Sequence, residues 1–167
     1  LAGEGISHLN LGDSYYQTGA YALAKTHGEQ ALGVLRQTGF RFGEGVALSN
    51  LAHVYAALQD GQRAVDFAGQ AFAIAGEVGD KMGQGLALNC LGAARSLSGD
   101  FSGAEEAYRQ AVELWQGLDD LPHLLEAKTA LAHSPHRAPP RSLTRLLPPS
   151  KLLPALPCRI SSLPAFS

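Results

Sequence analysis

The sequence predicts an all-α protein built from stacked helix pairs, and three observations lead to that prediction. Residues 1–133 repeat with a period of forty, each repeat holds two apolar stripes at helical spacing, and small residues recur at fixed places along both stripes. The chain has 167 residues, 46% of them hydrophobic, which is enough for one core without disulfides or a structural metal. These features predict a solenoid of three full repeats and one partial repeat.

The forty-residue repeat runs through three units without an insertion or a deletion. Each unit opens on a glycine-containing triplet, namely Gly3-Glu4-Gly5, Gly43-Glu44-Gly45 and Gly83-Gln84-Gly85. Alanine recurs at the same interval at positions 24, 64 and 104, and again at positions 31, 71 and 111. We therefore divide the repeat region into units at about 3–42, 43–82 and 83–122, followed by a partial unit at 123–133.

Each unit is predicted to form two antiparallel helices. In the second unit, one apolar stripe lies within residues 46–58 and another within residues 64–74, and Gln59-Asp60-Gly61 separates them. The recurring alanines would let the two helices approach closely, and Gly12 and Gly92 are expected to serve the same contact. The glycine triplets are interpreted as turns between units and as helix starts. Because one pair cannot bury its apolar face alone, the units must stack.

A sharp change of composition near Ser134 predicts a boundary. Residues 1–133 hold 8 Lys and Arg against 15 Asp and Glu, whereas residues 134–167 hold 5 basic residues and no acid. All 19 glycines precede the boundary, and eight of the nine prolines follow it. We interpret residues 134–167 as a disordered tail or one foreign to the repeats, the rival being a basic arm that docks on the acidic repeats. Since the chain opens without Met, we expect it to be part of a longer or processed protein.

Composition and motifs exclude several classes of function. The acidic repeat region lacks the clustered Lys and Arg of a nucleic-acid interface, and no apolar run approaches the ~18 residues of a membrane span. The histidines show no metal-ligand spacing, and Cys90 and Cys158 lie far apart. The glycine triplets lack the Lys-Ser/Thr of a phosphate loop. The sequence therefore predicts a cytoplasmic protein without a catalytic set, a metal or a cofactor.

The repeat positions resemble the tetratricopeptide repeat family. Its pattern of a large residue, Leu-Gly, Tyr, Ala, an aromatic residue and Ala corresponds, in the second unit, to Leu48, Leu51-Ala52, Tyr55, Ala64, Ala68 and Ala71. The usual period is about 34, so the extra residues would lengthen the helices and the turn between units. The longer period is similar to the repeats of kinesin light chains and of large bacterial regulators, and residues 79–88 resemble the latter most.

This resemblance implies a right-handed superhelix whose concave groove is lined by the first helix of each pair. Asn10 and Asn50 share one groove position, and an amide there could hold a peptide backbone because it both donates and accepts hydrogen bonds. The alternative is that these two asparagines cap or bridge neighbouring helices. The predicted groove residues are Asn10, Asp13, Tyr16, Gln17, Asn50, His53, Asn89 and Ser96.

The expected function is protein binding by a non-catalytic scaffold. The groove would take a peptide segment of a partner, as the regulatory part of a larger bacterial signalling or transcription-regulator protein. The alternative is a module for self-association or intramolecular docking, with no peptide in the groove. Apolar surface near Leu114, Leu118 and Leu131 at the uncapped last repeat would favour that alternative.

Overall fold

The computed structural model describes residues 2–133, without the side chain of Ala2, and that region is entirely α-helical. The predicted boundary at Ser134 and the interpretation of residues 134–167 lie outside the described residues. The described helices are α1 (Ala2–Gln17), α2 (Tyr21–Gln37), α3 (Arg41–Ala57), α4 (Gly61–Glu77), α5 (Lys81–Leu97), α6 (Phe101–Gly117) and α7 (Leu121–Ala132).

Consecutive helices pack against one another along the whole described region, from α1 on α2 to α6 on α7. In addition, α1 contacts α3 and α3 contacts α5, whereas within residues 2–133 no comparable contact joins α2 to α4 or α4 to α6. We call α1, α3, α5 and α7 the inner helices and α2, α4 and α6 the outer helices. Because α3 touches both α1 and α5, whereas neighbouring outer helices do not touch, the stack from α1 to α6 curves toward the inner layer. The consecutive packing of the helices confirms the predicted solenoid.

The turns between helices recur every twenty residues, so the turn between units is no longer than the turn within a unit. One residue in each turn has a positive φ, and the six are Gly19, Gly39, Gln59, Gly79, Gly99 and Asp119. Glycine adopts this left-handed conformation without the steric cost that a Cβ brings. The expectation of a longer turn between units was therefore wrong, because helices of 17 residues take up the extra length.

Aspartate caps the later helices of the stack. The side chains of Asp60, Asp80, Asp100 and Asp120 each accept a hydrogen bond from the backbone N–H three residues on, at the starts of α4, α5, α6 and α7. Such a cap contributes about 0.5–2 kcal/mol to stability. At the starts of α2 and α3, Ala20 and Phe40 provide no side-chain cap. The glycine triplets lie in the first turns of α1, α3 and α5, so they are helix starts rather than turns between units.

The contacts between helices of a pair depend on the small residues that define the repeat. Ala24, Ala64 and Ala104 are fully or almost fully buried, as are Ala31, Ala71 and Ala111. Tyr55 stacks on Phe67 with ring centroids 5.2 Å apart, and Tyr15 stacks on His27 at 5.3 Å. These rings close the space between the two helices of a pair.

Candidate binding groove

The inner helices carry one face that points away from the outer helices. In α1, Gly12 lies against Ala24 and Gly28 of α2, and His8 and Tyr15 stack on His27, so these residues mark the packed side. At 100° per residue, the opposite side of α1 presents position 6, position 10, position 13 and position 17. The residues at these positions in α1, α3 and α5, which we call the groove face, are Ile6, Asn10, Asp13, Gln17, Val46, Asn50, His53, Ala57, Leu86, Cys90, Ala93 and Leu97.

The groove face carries little charge. Among its residues, Asp13 is the one ionisable carboxylate and no Lys or Arg is present. Asp13 is half-buried and accepts a hydrogen bond from Gln17 Nε2 at 2.8 Å. A cluster of charges lies elsewhere, where Arg36 and Arg41 both pair with the buried carboxylate of Glu44. A ligand of this face would therefore be recognised mainly by shape, apolar contact and hydrogen bonds.

Asn10 and Asn50 occupy one repeat position but different surroundings. Asn10 is exposed, whereas Asn50 is half-buried in a cleft between α1, α2 and α3. The cleft has a water-accessible volume of about 10 Å³, close to the minimum for one water molecule, and its other walls include Asp13, Tyr16 and Gly28. The Oδ1 atom of Asn50 is buried there without a hydrogen-bond partner among the described residues. Asn50 thus points between two repeats, and Asn10 points to solvent.

In the next repeat the equivalent cleft is closed by Cys90 and His53. The sulfur of Cys90 lies 3.5 Å from His53 Nδ1, and both side chains are buried. Burial lowers the pKa of His53 to about 4 and raises the pKa of the Cys90 thiol to about 12. Both groups are therefore neutral near pH 7, and the thiol lacks the thiolate character of a reactive cysteine.

The remaining predicted groove residues differ in accessibility. Tyr16 is half-buried, with its ring 5.6 Å from that of Tyr21 and 6.2 Å from that of His53. Ser96 is half-buried and donates to the backbone oxygen of Gly92 at 3.0 Å. Asn89 is only 2% exposed, and neither of its side-chain polar atoms has a hydrogen-bond partner among the described residues. The structure therefore leaves Asn10 and Gln17 open to a ligand and Asp13, Tyr16, Asn50 and Ser96 open in part. His53 and Asn89 lie beneath the surface.

An apolar row on the same inner helices was missed by the sequence reasoning. Ile6, Val46 and Leu86 share one repeat position on the groove face, and Phe42 and Met82 share the position one turn earlier. Ile6, Phe42 and Met82 are 38%, 40% and 51% exposed, although large apolar side chains are usually withdrawn from water. The recurrence of apolar residues at these positions is present in the sequence. It can be assigned to the groove face only when the side of each helix that packs on the outer helices is known.

The described residues contain no group of three or more His, Cys, Asp and Glu side chains placed to hold a metal ion. His8 and His27 form one pair of possible ligands among the described residues, and their Nδ1 atoms lie 3.0 Å apart between α1 and α2. Because the two rings are stacked, their nitrogen lone pairs do not converge on one point. None of the described helices is long and apolar enough to span a bilayer.

These features define a class of protein, a helical-repeat scaffold with a curved inner face of mixed apolar and polar character. Residues 43–117 match the tetratricopeptide repeat, and this match supports assignment of the helical region to the tetratricopeptide repeat family. Members of this family are typically protein-binding scaffolds without catalytic activity. No curated protein matches the chain.

Proposed function

We propose that the groove face binds a segment of a partner protein. The observation that carries this proposal is the apolar row, in which Ile6, Phe42 and Met82 are exposed on successive inner helices. Exposed apolar side chains in a contiguous, curved surface mark a site of association. Beside this row, Asn10, Asp13 and Gln17 offer amide and carboxylate groups to the backbone of a bound segment.

The chemistry of the groove face selects for a partner segment with few acidic residues. A carboxylate in the partner would find no Lys or Arg on this face, and Asp13 would repel it. Large apolar side chains would contact Ile6, Val46 and Leu86, and a basic residue would pair with Asp13. Such a segment would bind as an extended strand or as a helix with one apolar side.

The experiment is a selection of peptides from a random library displayed on phage, with the full chain as the immobilised target. Binding of the enriched peptides is then measured for Met82→Glu and for Gln30→Glu, which adds the same charge on the exposed outer side of α2. We expect Met82→Glu to weaken binding about ten-fold or more and Gln30→Glu to leave it within about two-fold. Equal effects of the two substitutions, or no enrichment, would overturn the proposal.

A second candidate function is self-association or docking within a larger protein, without a peptide in the groove. The observation that favours it is the exposed apolar end of the stack, where Leu118, Leu121 and Leu125 are 40%, 66% and 64% exposed. Sedimentation of the full chain over a hundred-fold concentration range distinguishes the two functions. Self-association predicts dimers before any partner is added, and peptide binding by the groove face predicts a monomer.

The setting of this function is also part of the proposal. We place the protein in the cytoplasm, as a non-catalytic regulatory part of a larger bacterial signalling or transcription-regulator protein. The support is the resemblance of residues 79–88 to the repeats of such regulators. The neutral Cys90–His53 contact and the low charge of the groove face fit a binding role better than a chemical one.

A further inference from the structure

We infer that the open face of α7 is a second binding site, on which a helix of a different polypeptide packs in the manner of an outer helix. Leu121, Leu125, Lys128 and Ala132 form this open face, and all four are exposed. Leu121 and Leu125 are the most exposed large apolar side chains of the described region. This site is separate from the groove face, so it is independent of peptide binding there, and it competes with self-association for the same apolar surface.

The repeat itself shows what belongs on the open face. Leu125 has the repeat position of Gly5, Gly45 and Gly85, and in each full repeat a residue near the end of the next outer helix covers that glycine. The covering residues are Leu35, Ile74 and Trp115. Lys128 has the position of His8, which contacts His27 of α2 through nitrogens 3.0 Å apart. An outer helix packed on α7 would continue an interface that the molecule already forms three times.

Two departures from the repeat define the chemistry of that helix. Leu125 replaces glycine, so the helix must carry a small residue where α6 carries Trp115. Lys128 stands where Leu48 and Leu88 are buried, and it has no carboxylate partner among residues 2–133. Burying its ammonium group requires an acidic residue opposite. In α2, His27 contacts the position equivalent to Lys128, and Leu35 covers the position equivalent to Leu125. The acidic residue of the bound helix should therefore lie eight positions before its small residue.

The chain's own segments do not meet these requirements. Residues 134–167 contain no Asp or Glu, and in repeat register they would place Pro148 inside the helix and Lys151 where Ala31, Ala71 and Ala111 are buried. An interior proline costs a helix about 3 kcal/mol. In a second copy, the outer helices already pack on their own inner helices. A helix from another polypeptide meets these requirements if it carries alanine or glycine along one side and an acidic residue facing Lys128.

The test uses the full chain and one synthetic peptide, the sequence of α4 (residues 61–77) with Phe67→Glu. This peptide keeps the small stripe of Ala64, Ala68, Ala71 and Ala75, and it places the new carboxylate eight residues before Ala75. Binding is measured by fluorescence anisotropy. We expect saturable binding that Leu125→Asp weakens about ten-fold or more, while Leu23→Asp, at a 48% exposed leucine on α2, changes it by less than about two-fold.

A charge exchange checks the orientation of the bound helix. Lys128→Glu should weaken binding of this peptide, and a second peptide with Phe67→Lys should restore it to within about three-fold. Absence of binding, equal effects of Leu125→Asp and Leu23→Asp, or no rescue would overturn the inference. It would also be overturned if Leu125→Asp converted a dimer to a monomer without peptide. Tighter peptide binding by the full chain with Leu146→Ser and Leu147→Ser would also overturn the inference. It would mean that the tail competes with the peptide for the open face of α7.

Discussion

The first helix pair and the two later pairs share one backbone spacing but fill it differently. At the position of Gly12 in the first pair there is room for a methyl group, with the nearest atom 3.5 Å from a Cβ, whereas a Cβ on Gly92 in the third pair would lie 2.7 Å from the Tyr108 ring. On the groove face, half-buried Asp13 of the first pair is replaced by buried His53 in the second. The repeat pattern therefore sets the spacing between helices. The individual side chains determine how closely two helices pack and how far water is excluded between them.

Lowering the pH should reveal the largest difference between the pairs, because His53 is buried and Asp13 is not. The pKa of His53 is about 4 in the folded chain and about 6.5 when unfolded, so the unfolded state binds more protons between these values. The free energy of unfolding therefore keeps its full value above pH 6.5, where His53 is neutral in both states. It decreases as the pH falls from 6.5 to 4. At pH 4 the loss reaches about 3 kcal/mol, by the factor of 1.36 kcal/mol per pKa unit.

The measurement is urea unfolding of the wild type and of His53→Gln at pH 7 and at pH 4. We expect the wild type to lose about 3 kcal/mol more than His53→Gln over this interval. His133→Gln, at an exposed histidine, is the control and should lose as much as the wild type. If the wild type and His53→Gln lose the same free energy, the side chain of His53 is hydrated and the second pair is no drier than the first.

A methyl group added to the two matched glycines should have effects of opposite sign. In Gly92→Ala the new Cβ meets the ring of Tyr108, which is buried, so either the ring or the helix must shift. Such overpacking costs about 1–3 kcal/mol. In Gly12→Ala the methyl group has room, and alanine favours the helix by up to about 1 kcal/mol over glycine.

Thermal unfolding followed by circular dichroism gives the melting temperatures of Gly12→Ala and Gly92→Ala. We expect the melting temperature to fall for Gly92→Ala and to rise for Gly12→Ala. Each variant is the control for the other, because Gly12 and Gly92 have the same repeat position on the inner helices of the first and third pairs. Two decreases of equal size would show that the first pair is packed as closely as the third, contrary to the distances above.

The architecture was predictable because the repeat signal is redundant. Six alanines at two positions, with no insertion, determine which faces of the helices meet, and each repeat confirms the others. The length of the turns was less predictable. A pattern of apolar residues does not show whether an extra residue lengthens a helix or a turn, and positive φ at Gln59 and Asp119 is not signalled by glycine.

The groove could be predicted only in part, for reasons that concern neighbouring repeats. Periodicity correctly indicates that Asn10 and Asn50 share a face, but it does not show that α1 covers Asn50 while nothing in the described region precedes Asn10. The apolar row, including exposed Ile6, Phe42 and Met82, was not predicted because apolar residues in an amphipathic helix are first assigned to the core. The direction of each side chain depends on packing between units, which a single helical pattern does not contain.

The smallest expected effect concerns Asn89, which stands where the first pair has Leu9. Both residues are at most 3% exposed, but Leu9 is apolar and both side-chain polar atoms of Asn89 are buried without a partner among the described residues. Leucine has the same branched shape as asparagine and no polar atoms. Asn89→Leu should therefore stabilise the fold by about 1 kcal/mol, because it removes the cost of a buried and unsatisfied amide.

The reciprocal variant Leu9→Asn places the same amide in the first pair and should destabilise the chain by about 1–3 kcal/mol. Urea unfolding at pH 7 measures both free energies, and the groove-selected peptides report binding in parallel. If Asn89→Leu gains stability and keeps its peptide affinity, Asn89 is not a groove residue. If it gains stability and loses affinity, the destabilising amide of Asn89 serves peptide binding. A loss of stability in Asn89→Leu would contradict the prediction, since it requires that the amide of Asn89 is satisfied in the folded chain.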